Sequence, residues 1–406
     1  MPSILTSLRA DDLLGKFIFL IKYLAFITLF SFLLGEAGLW IWFPISENSL
    51  AVSRKYHLNL PGLKNDILYT RNQYGFRSLS MQTKEKDPRT IRIICLGGST
   101  TDQATQNTED TWFGILDQKL NEALSKENIR IEVAAWGRSG IGIWDGCRYC
   151  RGQLSEFKPD IVITLWGIND LIHNGGPNFL YEGRKRRIAK LRNTLLKKQT
   201  DSTTLISKLK ATVSKYSQIY RRLTALRNQK HDKISLIIKK TFLGSSDRIT
   251  LAAKSAYRKF PLREKISSDP DPVLEFRDGF EELILCLKEQ GAETLVLGQP
   301  VLWKQNMPPA EKSVLWFSIN TKEGPVRAGD LWLENQMSRY NQAQEGLVKL
   351  THLAYVPLER LIPKTLDFFY DDCHFTDKGN RAVAEAAYPE VLKLLQKVSK
   401  KRKLAA

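Results

Sequence analysis

The stretch of residues 91–102 constrains the fold more than any other part of the chain. Residues 91–96 form a short apolar run rich in β-branched side chains, and Gly97, Gly98 and Ser99 follow directly. Such a run, closed by glycines and followed by a helical pattern, predicts a buried parallel strand, a tight turn and a helix. The glycines are expected to allow positive-φ turns and close approach of a bound carbonyl group. Ser99 would then stand at the carboxyl end of the strand, where open α/β sheets bind ligands. Taken alone, the stretch could equally be a loop with a capping serine.

Strand-like and helix-like patterns alternate through most of the chain after residue 90. Strands are predicted at 91–96, 130–135, 160–165, 293–297 and 353–357, and helices at 111–125, 143–157, 273–290, 330–350 and 377–397. This alternation predicts an α/β fold with a parallel sheet and helices on both faces.

The alternation stops after residue 180 and resumes after residue 270. We therefore divide the chain into five segments. They are an N-terminal membrane anchor at 1–44, a leader segment at 45–90, the first part of the α/β domain at 91–180, a basic helical insertion at 181–270 and the second part of the domain at 271–400.

The anchor is predicted from residues 17–43, which only Lys22 and Glu36 interrupt with charge. This run exceeds the ~20 residues that a helix needs to cross a bilayer. A cleaved signal peptide is the alternative, but its apolar region would be only ~7–15 residues long and would end at a small-residue cleavage site. The run is longer than that, so a single-pass, uncleaved membrane helix is favoured.

Basic residues on the two sides of this run give a weak orientation signal. Arg9, Lys16 and Lys22 lie at its amino side, against Arg54 and Lys55 beyond it. Positive residues favour the cytoplasmic side, so the body of the chain is expected to be extracytoplasmic, either periplasmic or at the cell surface.

The net charge of +18 is confined to one segment. Residues 181–270 hold 24 Lys and Arg against 6 Asp and Glu, which leaves 37 of each sign in the rest of the chain. Scattered basic residues usually form a solvated helical face. A more specific alternative is that residues 184–260 contact anionic lipid headgroups or an acidic envelope glycan. Nucleic acid is not expected as a partner, because an exported domain would not meet it.

The chain has five cysteines, which is a small and odd number, so no disulfide framework is predicted. They are Cys95, Cys147, Cys150, Cys286 and Cys373. Cys95 and Cys286 fall in apolar patterns and are expected to be small core residues. Cys147 and Cys150 have CxxC spacing, but no second pair accompanies them, so zinc is not expected. A redox role is the alternative, and the position of the pair inside a helical pattern disfavours it.

Four short segments carry residues suited to chemistry, and most of them follow a predicted strand. They are Gly97 to Thr100, the loop around Gly137, Gly167 to Asp170, and Asp371 to His374. In a parallel sheet these segments would gather at one edge.

Acyl transfer needs the residue types that these segments supply. A serine such as Ser99 is a weak nucleophile and needs a base within hydrogen-bond reach, which His374 can provide. A carboxylate must hold the tautomer of that histidine, and Asp371 lies three residues before it. The developing oxyanion needs fixed donors, for which the backbone N–H groups of Ser99 and Gly137 and the side-chain amide of Asn169 are candidates.

The four segments, in this order, resemble the four sequence blocks of the SGNH/GDSL hydrolase superfamily. The resemblance covers residues 91–175 and 273–397 and implies a flavodoxin-like three-layer α/β/α fold. It implies an esterase with Ser99 as nucleophile, His374 as base and Asp371 as its partner, and with no cofactor or metal. The oxyanion hole would be Ser99, Gly137 and Asn169.

Three positions depart from the family pattern. Gly98 replaces the aspartate of the Gly-Asp-Ser-Leu block, Thr100 replaces its leucine, and Ala135 stands where an asparagine often precedes the glycine block. None of these positions is a candidate catalytic residue, so the departures bear on the subfamily and not on the activity.

Simpler roles compete for several of these residues. Asn169 and Asp170 alone could form an ordinary strand-end turn, and Asp371, Asp372 and Thr376 could cap the last helix. Asp372 is also the alternative to Asp371 as the partner of the histidine. No role is assigned to the other histidines, which are His57, His173, His231 and His352.

The sequence therefore predicts a membrane-anchored serine esterase that acts on an acylated, especially O-acetylated, extracytoplasmic glycan or lipid. One alternative is an O-acyltransferase acting on a cell-envelope polysaccharide, because water and a sugar hydroxyl compete for the same acyl-enzyme. The other is a non-catalytic envelope-glycan binding or assembly protein, against which the presence of all the catalytic residue types argues.

Overall fold

The computed structural model of the chain describes residues 31, 50–127, 129–173, 254–267, 271–321 and 323–405. The predicted anchor at 1–44, apart from Ser31, and most of the predicted insertion at 181–270 lie outside the described residues. Within the described part of the chain, no helix has both the length and the apolar character that a membrane span requires.

The strands of the described residues follow the predicted positions closely and add several short ones. In chain order they are β1 (Val52–His57), β2 (Asp66–Arg71), β3 (Arg77–Ser78), β4 (Thr90–Gly97), β5 (Arg130–Gly137), β6 (Ile161–Leu165), β7 (Leu262–Arg263), β8 (Glu293–Leu297), β9 (Ile319–Thr321), β10 (Gly324–Ala328) and β11 (Ala354–Val356).

Five of the α-helices in the described residues match the predicted segments, and the others are short. They are α1 (Ser99–Asp102), α2 (Trp112–Ala123), α3 (Ile143–Gly152), α4 (Ile168–His173), α5 (Pro272–Glu289), α6 (Pro309–Val314), α7 (Asp330–Thr351), α8 (Leu358–Leu361) and α9 (Asp377–Ala405). The helix predicted over 143–157 is divided, because α3 ends at Gly152 and a 3₁₀ turn follows at Leu154–Phe157.

Six strands form the central sheet in the spatial order β11-β8-β6-β4-β5-β3. The first five are mutually parallel, and their order across the sheet is that of flavodoxin-like sheets. Every residue of β4 and β6 is buried, which fits the apolar runs expected of parallel strands covered on both faces. The predicted α/β class is therefore confirmed.

The prediction of a wholly parallel sheet is corrected, because the sheet is mixed. The edge strand β3 runs antiparallel to β5, pairing Arg77 with Ala135 and Ser78 with Ala134. A strand of two residues carries no periodicity that a sequence pattern could reveal. The segment predicted as a leader at 45–90 therefore supplies one strand of the sheet, together with the antiparallel ribbon of β1 and β2.

Helices cover both faces of the sheet. On one face α2 packs against α9, and on the other α5 packs against α3 and α7. A separate small sheet has the order β7-β10-β9, so the end of the segment predicted as a helical insertion contains a short strand at Leu262–Arg263. These elements belong to one compact unit.

One disulfide joins Cys150 on α3 to Cys286 on α5, with a Cα–Cα distance of 6.4 Å. The expectation that Cys286 is only a small core residue is corrected by this bond. Cys147, the other cysteine of the CxxC spacing, is a buried free thiol whose Sγ donates to the carbonyl of Gly279. The number and spacing of cysteines could not reveal the pairing, since the two partners are 136 residues apart and meet only through helix packing.

Candidate active site

The nucleophile candidate Ser99 opens helix α1 directly after strand β4. A Cβ on Gly97 would lie 2.1 Å from Thr101 Oγ1 and 2.7 Å from the Leu165 carbonyl oxygen, so no larger residue fits there. Gly98 has a φ of −80°. The expectation of positive-φ turns at these glycines is therefore wrong. They are required because α1 folds tightly against the strand ends, and space rather than backbone conformation is what they provide.

Three side chains from the two ends of the domain meet at this turn. The Oγ of Ser99 lies 2.7 Å from Nε2 of His374, and Nδ1 of His374 lies 2.7 Å from Oδ2 of Asp371 and 3.0 Å from Oδ1. The backbone N–H groups of Cys373 and His374 also donate to Oδ1 of Asp371. The histidine side chain is only 12% exposed. The three side chains predicted to converge thus form a continuous hydrogen-bonded chain.

Asp372 faces away from this chain. Its Oδ1 accepts from the indole N–H of Trp303, and its Oδ2 accepts from the backbone N–H groups of Trp316 and Phe317. Burial and the neighbouring Asp371 raise the pKa of the Asp372 carboxyl to about 7. Of the two candidate carboxylates, only Asp371 contacts the histidine, while Asp372 holds the loop at 316–317.

The histidine and its carboxylate partner shift each other's pKa in opposite directions. Burial by itself lowers the pKa of His374, but the charge and hydrogen bond of Asp371 outweigh it, so the pKa is raised above the usual value of 6.5. Burial by itself raises the pKa of Asp371, and its attraction to His374 holds the pKa below the usual value. The pair therefore favours an ionised carboxylate beside an imidazole of increased basicity.

The oxyanion candidates lie at the ends of the strands on either side of β4. Gly97 pairs in register with Gly137 at the end of β5 and with Leu165 at the end of β6. The N–H that donates to the Gly97 carbonyl is that of Arg138, so the Gly137 N–H, predicted as an oxyanion donor, faces away from β4. Asn169 follows on α4, and its Nδ2 donates to the Ile141 carbonyl at 2.9 Å. A Cβ on Gly98 would lie 2.6 Å from that Nδ2, so the amide of Asn169 sits directly against the backbone that precedes Ser99.

Asp170, which follows Asn169, makes a structural hydrogen bond. Oδ1 of Asp170 accepts the backbone N–H of Ile143 at the start of α3, at 2.9 Å. A Cβ on Gly142 would lie 2.4 Å from that oxygen. Asn169 and Asp170 together thus hold the loop of residues 138–142 against the site. Thr376, by contrast, fulfils the simpler capping role, because its Oγ1 accepts from the N–H of Gly379 in the first turn of α9.

Residues 95–382 match the model of the GDSL-like Lipase/Acylhydrolase family. The chain belongs to this family. It is accordingly an ester-hydrolysing enzyme with the α/β fold of GDSL hydrolases.

Among solved structures, the GDSL-like hydrolase is similar to the acetyl xylan esterase AlAXEase, at 13% identity and a TM-score of 0.39 over 74% of this chain and 100% of that one. It is similar to the acetylxylan esterase Axe2 of Geobacillus stearothermophilus, at 13% identity and a TM-score of 0.40 over 74% and 94%. A further similar structure is TesA, at 12% identity and a TM-score of 0.38 over 75% and 99%. No curated protein matches the sequence.

Three aromatic residues of the GDSL-like hydrolase contact His374 or Asp371, and no sequence pattern marks them. The indole N–H of Trp316 donates to Oδ2 of Asp371 at 3.0 Å. The ring of Tyr370 stacks on His374 with centroids 5.7 Å apart, and Phe317 meets it edge-on at 5.9 Å. Residues 316–317 lie between α6 and β9, in a segment without periodicity, so only the folded chain brings them to the site.

One group of possible metal ligands in the described residues of the GDSL-like hydrolase coincides with this site. Ligand atoms of Asp371, Cys373 and His374 lie within 4.8 Å of one another. Both ring nitrogens of the histidine already have hydrogen-bond partners. Burial and the two carboxylates raise the pKa of the Cys373 thiol well above its usual value, which disfavours the thiolate that a metal would bind. The donor set suits proton transfer better than metal binding.

Proposed function

We propose that this enzyme is a membrane-anchored serine esterase that removes short acyl groups, acetyl above all, from an extracytoplasmic glycan or lipid. The observation that carries the chemistry is the run of 2.7 Å contacts from Ser99 Oγ through the imidazole of His374 to Asp371. The rest of the proposal concerns where the enzyme lies and which esters it meets there.

In the proposed reaction, Nε2 of His374 accepts the Ser99 proton while Oγ attacks the ester carbonyl. Asp371 accepts the Nδ1–H and stabilises the imidazolium that forms. The oxyanion receives hydrogen bonds from the backbone N–H of Ser99 and from the Asn169 amide. The imidazolium then protonates the leaving alcohol. His374 next accepts a proton from a water molecule that attacks the acyl-enzyme, and it returns this proton to Ser99 Oγ as the carboxylic acid leaves.

The location follows from the predicted membrane helix at 17–43 and from the basic residues at its amino side. The Cys150–Cys286 disulfide supports it, because such bonds persist in oxidising compartments outside the cytosol. The esters available there are those of envelope glycans and lipids. The positive charge of residues 181–270 would suit an anionic lipid surface or an acidic glycan.

The test combines a covalent probe with a series of ester substrates. A fluorophosphonate is expected to label the purified enzyme at Ser99, as identified by mass spectrometry of the labelled peptide, and to leave Ser99→Ala unlabelled. Among p-nitrophenyl esters, acetate is expected to give a higher kcat/KM than octanoate or longer chains. Equal labelling of the two proteins would refute the proposed nucleophile, and a preference for long chains would refute the short-acyl substrate class.

The pH dependence follows from the raised pKa of His374. Only the neutral imidazole can accept the Ser99 proton, so kcat/KM is expected to increase as pH rises through an apparent pKa above 6.5. Asp371→Asn removes the charge that raises this pKa. The variant is expected to shift the apparent pKa downward and to lower kcat by about 10⁴-fold.

The matched control is Asp367→Asn, because this carboxylate lies in the same loop but is exposed and pairs with Lys378. It should leave the profile unchanged. A rate that falls with pH across this range, or an Asp371→Asn profile with the wild-type apparent pKa, would contradict the assignment of His374 as the base.

A further inference from the structure

A buried ion pair lies beneath the site and joins it to a segment outside the family match. Arg71 ends strand β2, is 9% exposed, and precedes the matched residues 95–382. One of its terminal nitrogens, Nη2, donates to Oδ1 of Asp102 at 2.7 Å. Asp102 is itself 2% exposed and ends helix α1, three residues after Ser99.

The same nitrogen has a second acceptor. Nη2 of Arg71 also donates to the carbonyl oxygen of Gly137, at 3.1 Å. One guanidinium thus contacts both the turn that carries the nucleophile and the end of strand β5. Since Gly137 has no side chain, it can be held in place only through its backbone, and its carbonyl also accepts from Nη1 of Arg138.

The surroundings of Asp102 restrict this arrangement further. Oδ1 of Asp102 accepts the Tyr69 hydroxyl at 2.9 Å, and Oδ2 accepts the Ser139 hydroxyl at 3.1 Å. Ser139 belongs to the loop that follows Gly137. A Cβ on Gly137 would lie 2.2 Å from the backbone nitrogen of Asp102, so the two backbones are in direct contact. The Arg71–Asp102 pair and the Ser139–Asp102 hydrogen bond are therefore polar links across that contact.

We propose that Arg71 is a positioning residue that fixes the turn carrying the Ser99 hydroxyl and backbone N–H against the end of strand β5. The inference rests on the proposed roles of Ser99 as nucleophile and oxyanion donor. An oxyanion donor stabilises the transition state only when it is pre-aligned, and a misplacement of about 1 Å can cost about 10²-fold in rate. Such a loss falls on kcat, because the ground-state ester does not depend on the same alignment.

The test measures kcat and KM for p-nitrophenyl acetate, corrected for the folded fraction by circular dichroism. Arg71→Met is expected to lower kcat by about 10- to 100-fold and to change KM by less than about threefold. Arg71→Lys, which keeps the charge but not the planar fork, should fall between this variant and wild type. In the double variant R71M/D102N, no buried carboxylate is left unpaired, so stability should recover while kcat stays low.

The matched control is Arg92→Met. Arg92 is a fully buried arginine near the start of β4, where it pairs with Glu132 at 2.8 Å and contacts backbone carbonyls. Its loss should lower the melting temperature as much as that of Arg71, yet change kcat by less than about threefold.

The outcomes separate the two proposals. Activity that survives in Ser99→Ala would overturn the proposed function and this inference with it. If Ser99→Ala is inactive but Arg71→Met keeps the kcat of Arg92→Met, or changes KM alone, the positioning role is wrong and the proposed function stands. Should Arg71→Met fail to fold, Arg71→Lys and the double variant give the same comparison.

Discussion

Ser99→Ala and His374→Ala are each expected to lower kcat for ester hydrolysis by about 10⁴- to 10⁶-fold, and the double variant is expected to lower it no further. The two groups act on one proton, since Nε2 of the histidine lies 2.7 Å from the serine Oγ. Once either side chain is removed, the proton transfer between them cannot occur, so removing the second costs no further activity. The activity that remains would come from the oxyanion donors and substrate binding alone.

The measurement is a steady-state rate with p-nitrophenyl acetate for both single variants and the double variant. Ser53→Ala and His57→Ala are suitable controls, because both residues are exposed on β1 and have no assigned role. If the loss in the double variant equalled the product of the two single losses, the residues would act independently, and a shared proton transfer would be excluded.

Gly98→Ala is expected to lower kcat by about 10²- to 10³-fold, as the loss of one oxyanion donor does. The added Cβ would lie 2.6 Å from Nδ2 of Asn169 and 3.4 Å from the Ile141 carbonyl oxygen that holds this amide. Because Asn169 is fixed by that hydrogen bond, it cannot turn aside without losing its alignment. In this chain any side chain at position 98 would therefore press on the amide of Asn169.

Three further variants make this prediction specific. Asn169→Ala should give a loss of similar size, and adding Gly98→Ala to it should cost little more, because both changes act on one amide. Gly346→Ala is the control, since a Cβ there, in the C-terminal half of α7, meets nothing within 4 Å. A Gly98→Ala enzyme with the wild-type kcat would show that the amide of Asn169 either moves without consequence or takes no part.

The sequence predicted those strands and helices whose hydrophobic residues recur with a regular period. The buried runs of β4 and β6 and the helices that follow them are regular, so their positions and the edge they share could be predicted. That edge is where Ser99, Asn169 and His374 meet. Spacing alone also selected Asp371 over Asp372, although both are buried carboxylates.

Other parts of the site depend on contacts that have no sequence pattern. Arg71 and Asp102 are 31 residues apart, and nothing in either position distinguishes a buried ion pair from two surface charges. Trp316 reaches Asp371 from an irregular segment 55 residues away. In the same way β3 is too short to predict, and the reason for Gly97 becomes visible only when Thr101 is packed against it.

The disulfide has a consequence for the integrity of the enzyme under proteolysis. Cys150 and Cys286 lie on opposite sides of residues 174–253, and so do Ser99 and His374. A cut at any peptide bond between 174 and 253 would therefore leave the nucleophile fragment and the base fragment covalently tethered. A chain nicked there would migrate as one species without reductant and as two with it, and it would keep both halves of its active site together.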